Sequence, residues 1–259
     1  MPKVQLKNAE LFYEVHGSGP VVVFVHGLTG NHISWFHQIP EFAKKYRCLV
    51  YDQRHFGVSQ TVAPENGDSF VDDLRELLDK VGDVKDVRLI GQSWGGNVAL
   101  RFGMKYPEMT KAVVLAGSEA GILDRETSAR LFTLPPDDPR DPLAINYAPT
   151  FALSNPAEHY LFGSVLRLNT PRPQDFTSRG RMGPISKETL AKVNFPTFFI
   201  TGEKDARTPP VLVKAAQEMM PKSRLVTIPN SGHSAFLESH QVFNSEVLSF
   251  LNSVDSKSD

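Results

Sequence analysis

Ser93, Asp205 and His233 are the residues in this chain whose types could together perform nucleophilic catalysis. Ser93 lies in Gly91-Gln92-Ser93-Trp94-Gly95, directly after the apolar run Val87-Arg88-Leu89-Ile90 and before a helix-compatible run ending at Tyr106. A strand that turns straight into a helix needs a tight bend, and glycines two residues either side of Ser93 remove the Cβ atoms that would clash there. The residue at the apex is then strained, with its side chain projected outward. A serine hydroxyl is a weak nucleophile and needs a base to take its proton and a third group to orient that base. A neutral imidazole beside the serine meets the first need. A carboxylate on the other ring nitrogen meets the second, since it fixes the tautomer and stabilises the cation that forms. An acid paired in this way also has a reason to stay ionised in a partly buried site. His233 follows Ser231-Gly232, and Asp205 follows Gly202-Glu203-Lys204.

Each of the three comes just after a stretch that reads as a strand, so all three fall on the same edge of one sheet. Val4-Gln5-Leu6 and Leu11 to Val15 form a strand pair joined near Asn8, and Gly17-Ser18-Gly19-Pro20 ends the second strand. Val21 to Val25, Cys48 to Tyr51, Val87 to Ile90, Lys111 to Ala116, Pro196 to Thr201 and Leu225 to Ile228 are strands whose mostly continuous apolar composition suits burial on both faces. Helical spacing appears in 31–46 (Trp35, Phe36, Ile39, Phe42, interrupted by Pro40), in 69–82, in the run after Ser93, in 209–220 and in 242–251. Ser69 followed by Asp72 resembles a capping box with Asp in place of Glu or Gln. Strand and helix in alternation predict an α/β fold with a mostly parallel central sheet flanked by helices.

Residues 121–192 break this alternation. They hold nearly half of the 19 prolines, in runs such as Leu134 to Pro139 and Thr170 to Pro173, with aromatic-bearing pieces between them. A structureless loop of this length is implausible in a compact domain. The chain is therefore read as a core of 1–120 and 193–259 with an inserted helical lid at 121–192. Trp35, Phe56, Phe132, Tyr147 and Phe162 are candidates for the substrate pocket beneath it. Within the lid, His159 beside Glu158 reads as an exposed helix pair. His26 is read as bracing the loop His26-Gly27-Leu28-Thr29-Gly30. Asp52 and Arg54 are read as fixing the loop after the strand ending at Tyr51, and His55 as a loop or pocket-wall residue.

Composition narrows the function classes. The 259 residues are 41% hydrophobic and 22% charged, with a formal net charge of -1. That balance belongs to a globular chain, and it supplies no field to gather nucleic acid or anionic lipid. The single cysteine, Cys48, excludes an internal disulfide and sits within a predicted strand. No apolar run reaches the roughly 18 residues of a membrane helix, and the first residues carry no signal-like apolar region. The expectation is a cytoplasmic protein acting on a small molecule, without nucleic acid or membrane partners. There is no closely spaced Cys/His cluster and no dinucleotide fingerprint, so neither a metal nor an organic cofactor is expected.

These features together resemble the α/β-hydrolase fold superfamily over nearly the whole chain: His26-Gly27 after a buried strand, Gly91-Gln92-Ser93-Trp94-Gly95, Gly202-Glu203-Lys204-Asp205 and Ser231-Gly232-His233. The resemblance implies that Ser93 is the nucleophile, His233 the base and Asp205 the acid. It implies an oxyanion hole of the backbone N–H groups of Leu28 and Trp94. Two departures stand out. There is no His-Gly-Gly-Gly form of the oxyanion loop, and Glu119 follows a strand at a place where some members carry the acid. Asp205 is preferred because Gly-x-x-Asp after the next strand is the commoner pattern. The implied activity is a serine hydrolase cleaving a small ester or lactone through an acyl-enzyme on Ser93. A carbon–carbon bond hydrolase, a cofactor-free perhydrolase of the haloperoxidase type and a thioesterase would use the same three residues. A ligand receptor with little turnover is the alternative of another class.

Overall fold

The computed structural model describes residues 2–61, 68–82, 84–132, 144–169 and 182–256. Its strands are β1 (Lys3–Gln5), β2 (Ala9–His16), β3 (Val21–Val25), β4 (Arg47–Tyr51), β5 (Gln60–Thr61), β6 (Val87–Gln92), β7 (Thr110–Ala116), β8 (Thr197–Gly202) and β9 (Arg224–Ile228). They form one sheet in the order β1-β2-β4-β3-β6-β7-β8-β9, with β5 paired to β2. The pairings of β2 with β1, β4 and β5 are antiparallel, whereas those from β4 through β3, β6, β7 and β8 to β9 are parallel. Every residue of β3 and β6 is buried, as parallel strands covered on both faces must be.

Two apolar clusters fill the two faces. One packs Leu74 and Leu77 of helix α2 (Ser69–Val81) and Val98 and Phe102 of helix α3 (Trp94–Lys105) against Val23, Leu89, Val113 and Phe199. The other packs Phe42 of helix α1 (Ile39–Phe42) and Phe243 and Val247 of the closing helix His240–Asp255 against Phe24, Ile90, Val114 and Phe198. Cys48 belongs to the second cluster, where burial pushes its thiol up to about 12. No helix among the described residues is long and apolar enough to cross a membrane.

Two local expectations are corrected. The stretch 31–46 is not one helix but a 3-10 turn, His32–Trp35, followed by α1. Pro40 lies in the first turn of α1, where its missing N–H costs nothing, so a new helix starts there instead of an old one continuing. The Ser69/Asp72 pair is not a capping box. Asp68 occupies the cap position, without a side-chain bond into the helix, and Ser69 is already the first helical residue.

Between β7 and β8 the chain leaves the sheet. Its described parts are helix α4 (Arg125–Leu131), a 3-10 turn (Ala144–Asn146), helix α5 (Phe151–Ser154), helix α6 (Pro156–Arg167) and the short helix Lys187–Leu190. Leu134 to Pro139 and Thr170 to Pro173 lie outside the described residues. Phe162 of α6 packs edge-on against Phe236 at 6.2 Å, and Tyr147 stacks on Phe151 at 5.1 Å.

The loop after β4 is held from inside. Arg54 reaches Asp73 of α2 through Nε and Nη2, each 2.7 Å from a carboxylate oxygen, with both side chains nearly excluded from water. Breaking such a pair strands a buried charge. Asp73→Ala is therefore expected to cost about 3–5 kcal/mol of folding free energy in urea denaturation. A loss below 1 kcal/mol, roughly the ceiling for an exposed pair, would show that water reaches Arg54.

Candidate active site

Ser93 stands at the junction of β6 and α3 with φ 51° and ψ -116°. That left-handed backbone is costly for a residue with a Cβ, and surrounding contacts hold it. The Ser93 N–H donates to the carbonyl of Ala116 at 2.8 Å, and the Ser118 hydroxyl donates to the carbonyl of Ser93 at 2.7 Å. Gly95 carries the crowding of the bend, since a Cβ there would come within 2.0 Å of the Val25 carbonyl oxygen. Closeness to β3 is thus what demands glycine at this position. The same closeness brings the loop after β3 alongside, where a Cβ built on Gly27 would sit 3.1 Å from the Cβ of Ser93.

Asp205 and His233 meet on the neighbouring strand ends. The His233 Nδ1–H donates to Asp205 Oδ2 at 2.9 Å and lies 3.1 Å from Oδ1. Oδ1 also accepts the backbone N–H groups of Arg207 at 2.9 Å and Thr208 at 2.8 Å. With its proton on Nδ1, His233 keeps the lone pair of Nε2. Gly117 lies against this pair with φ 52°, and a Cβ there would be 3.3 Å from both Asp205 Oδ2 and His233 Nδ1. One peptide unit at the end of β7 thus receives the Ser93 amide on Ala116 and backs the His233–Asp205 pair with Gly117.

Glu119 points elsewhere. Its carboxylate accepts the N–H of Leu123 at 3.1 Å, and burial pushes its pKa up. His26 is 1% exposed and fully engaged in its loop. Its Nε2 accepts the Gln53 N–H at 3.1 Å, its Nδ1 donates to the Gly27 carbonyl at 2.8 Å, and its ring meets Phe56 edge-on. Asp52 accepts the N–H of His32 at 2.7 Å and of Val58 at 2.9 Å. His55 takes φ 67° in that turn. Leu28 is half-buried beside Gly27, and Trp94 is the first residue of α3, so the helix does not use its N–H.

Four of the five pocket candidates are core residues. Trp35 is 1% exposed between Phe24 and Phe236, Phe56 is 0%, Tyr147 1% and Phe162 2%. Aromatic side chains in turns and short helices read alike whether they face a cavity or the core, and here all four lie within the two apolar clusters. Phe132 is half-buried at the end of α4. A cavity of about 280 Å³ among Leu190, Val193, Phe195 and Met220 opens at the amino ends of β8 and β9, away from Ser93.

Glu238 is a further group at the site that no local pattern announces. It ends the helix Ala235–Glu238 just after His233. Its Oε2 accepts the Ala148 N–H at 2.8 Å, and its two oxygens accept the Gly232 N–H at 3.0 and 3.1 Å. It therefore clips the chain entering α5 to the His233 loop, and the Ser234 N–H adds a second tie at 2.8 Å to the Asn146 carbonyl. Two asparagines tie α6 to the loop after β3. Asn31 donates to the Val165 carbonyl at 2.8 Å, and Asn169 donates to the Thr29 and Gly30 carbonyls at 3.3 and 3.2 Å.

Known proteins share this fold. A family model described as alpha/beta hydrolase fold matches residues 20–240. An Azorhizobium caulinodans protein named "Putative carbamate hydrolase RutD" is 25% identical over 98% of this chain and 100% of its own length. The solved bromoperoxidase from Bacillus anthracis is 26% identical, covering 94% of this chain and 96% of that one at a TM-score of 0.75. A thermophilic esterase from Thermogutta terrifontis superposes with a TM-score of 0.82 at 23% identity over 98% of this chain and 99% of its own.

Burial pushes the Glu238 carboxyl up to about 7, against the pull of its backbone donors. The folded protein then holds this proton more tightly than the unfolded chain does. The stabilisation is full below the ordinary value of 4.5 and is lost as pH rises through about 7. Urea denaturation across that window is expected to show a decline of about 1–3 kcal/mol from this group. Glu238→Gln should flatten the decline, whereas identical pH profiles for the two proteins would assign it to other groups.

Proposed function

Since the chain belongs to the α/β-hydrolase fold family, we propose that it is a serine hydrolase that cleaves a small carboxylic ester or lactone through an acyl-enzyme on Ser93. The observation that carries this reading is the buried His233–Asp205 pair, 2.9 Å apart at the sheet edge that bears the Ser93 bend. Ser93 Oγ attacks the carbonyl carbon as its proton passes to His233 Nε2. The N–H groups of Leu28 and Trp94 donate hydrogen bonds to the developing oxyanion. Collapse of the tetrahedral adduct breaks the ester C–O bond, and His233 returns its proton to the departing alkoxide, which for a lactone stays tethered to the acyl group. Water, deprotonated by His233, then attacks the acyl-enzyme and frees the acid. Asp205 holds the imidazole in the tautomer this sequence needs and stabilises its cation without itself taking the proton. Residues 121–192 act as the lid that shapes the acyl pocket.

The likeness to the Bacillus anthracis bromoperoxidase favours a second reaction on the same residues. Hydrogen peroxide replaces water at the acyl-enzyme and leaves as a peracid. Halogenation that requires both peroxide and a carboxylic acid, and that disappears in Ser93→Ala, is its signature.

Purified protein is expected to turn over within a panel of p-nitrophenyl esters, lactones and vinylogous diketones, and to be labelled by a fluorophosphonate. Ser93→Ala should lose both. Asp205→Asn should lower kcat by roughly 10⁴, while Glu119→Gln stays near the parent. Turnover that survives Ser93→Ala would overturn the mechanism, and labelling without turnover on any substrate would make the protein a receptor. A folded Glu119→Gln more impaired than Asp205→Asn would move the acid to Glu119.

A further inference from the structure

His37, Glu158 and His240 come from three separate elements: the turn before α1, helix α6 and the start of the closing helix. Among the described residues, they are a group whose three ligand atoms all lie within 4.8 Å of one another. All three are half-buried. Glu158 is therefore not half of an exposed pair with His159. It faces His37, while His159 packs edge-on against Tyr147 at 5.5 Å.

The hydrogen bonding leaves this group unfinished. His37 Nε2 is shielded from solvent and has no hydrogen-bond partner. Glu158 Oε1 approaches it to 3.6 Å, the reach of an ion pair but too long for a hydrogen bond. His240 Nδ1 lies 3.3 Å from the Leu237 carbonyl, which can only accept, so the ring carries its proton on Nδ1 and presents Nε2 as a bare lone pair. Metal-binding imidazoles are oriented in this way, with the far nitrogen donating to a backbone carbonyl. The frame is also set in advance. Asn244, one turn beyond His240, donates to the His37 carbonyl at 3.0 Å, and Gln38 donates to Asn244 at 2.9 Å and to the Phe236 carbonyl at 2.7 Å.

We propose that His37, Glu158 and His240 bind a divalent transition-metal ion of the zinc type, with water completing its coordination. Two imidazoles and a carboxylate suit this class of ion, with Zn–N near 2.0–2.1 Å and Zn–O near 2.0–2.2 Å. The two rings now stack at 3.8 Å, only 6° from parallel. An ion held between parallel rings would lie outside both planes, so binding turns the rings apart and draws the carboxylate inward. The ion then joins α6 to the turn before α1 and to the closing helix. Through α6 it restrains the segment whose Val165 carbonyl receives Asn31 from the loop after β3. The site is separate from Ser93, and its existence does not rest on the proposed hydrolysis.

The test uses the full chain without an affinity tag, stripped by a chelator, then titrated with Zn²⁺ by calorimetry and with Co²⁺ by visible absorption. Saturable binding of a single equivalent is expected, with a rise in the thermal midpoint on adding Zn²⁺. His37→Ala, His240→Ala and Glu158→Gln should each weaken Zn²⁺ binding by at least about tenfold. His16→Ala should leave it unchanged, because His16 pairs with Glu14 at a separate exposed site. Should a histidine variant fail to fold, Glu158→Gln decides, since its side chain is 34% exposed and tolerates replacement. Absence of saturable binding at micromolar Zn²⁺, or equal affinity in the parent and the folded variants, would overturn the proposal.

Discussion

Asp205 is a buried carboxylate, and this edge of the sheet is organised around satisfying its charge. Left unpaired, a carboxylate at 4% exposure would cost several kcal/mol or take up a proton. Two consecutive backbone N–H groups, those of Arg207 and Thr208, turn back onto Oδ1, while His233 donates to Oδ2. The loop after β8 must curl to provide the first two, and the loop after β9 must arrive with its histidine. Backbone bonds clip those loops together, from Glu203 N–H to the Ile228 carbonyl at 2.9 Å and from Lys204 N–H to the Ser231 carbonyl at 2.7 Å. The charge is thereby held in a place where only His233, among its donors, can exchange a proton.

The chain between β7 and β8 is attached to this edge by a few directed polar contacts as well as by apolar packing. Glu238 and the Asn146 carbonyl fasten it to the His233 loop, while Asn31 and Asn169 fasten it to the loop after β3. Net contributions of about 0.5–1.5 kcal/mol are typical of single hydrogen bonds, more when one partner is charged. Such ties fix where the segment sits. Relatives with this fold carry names as different as carbamate hydrolase, bromoperoxidase and esterase. The sheet edge can stay constant while reaction and substrate vary.

Most of the sheet and the positions of Ser93, Asp205 and His233 were legible in the sequence, because each is announced by its neighbours. Buried parallel strands appear as continuous apolar runs, and each of the three residues follows the end of one closely. The Ser93 bend is signalled by its own flanking glycines. What the neighbours do not encode is which distant surface a side chain will meet. Trp35, Phe56, Tyr147 and Phe162 read as pocket walls and are core, since an aromatic residue in a turn or short helix has the same local pattern either way. Pro40 divided a helix-like stretch, and the cap of α2 fell one residue before Ser69.

Tertiary structure alone decided the contacts between segments far apart in the chain. Glu238 is ordinary in sequence, and burial raises its pKa against the pull of the Ala148 and Gly232 N–H groups, neither of them its neighbour in the chain. Gly117 reads as the glycine after a strand until its contact with His233 and Asp205 appears. His37, Glu158 and His240 share no spacing motif, because a ligand set drawn from three elements takes its geometry from how they pack. The sequence determined the strands, their order along the chain and the residues at their ends. The tertiary structure decided which of those ends and surfaces touch, because contact between remote segments depends on the whole packed core.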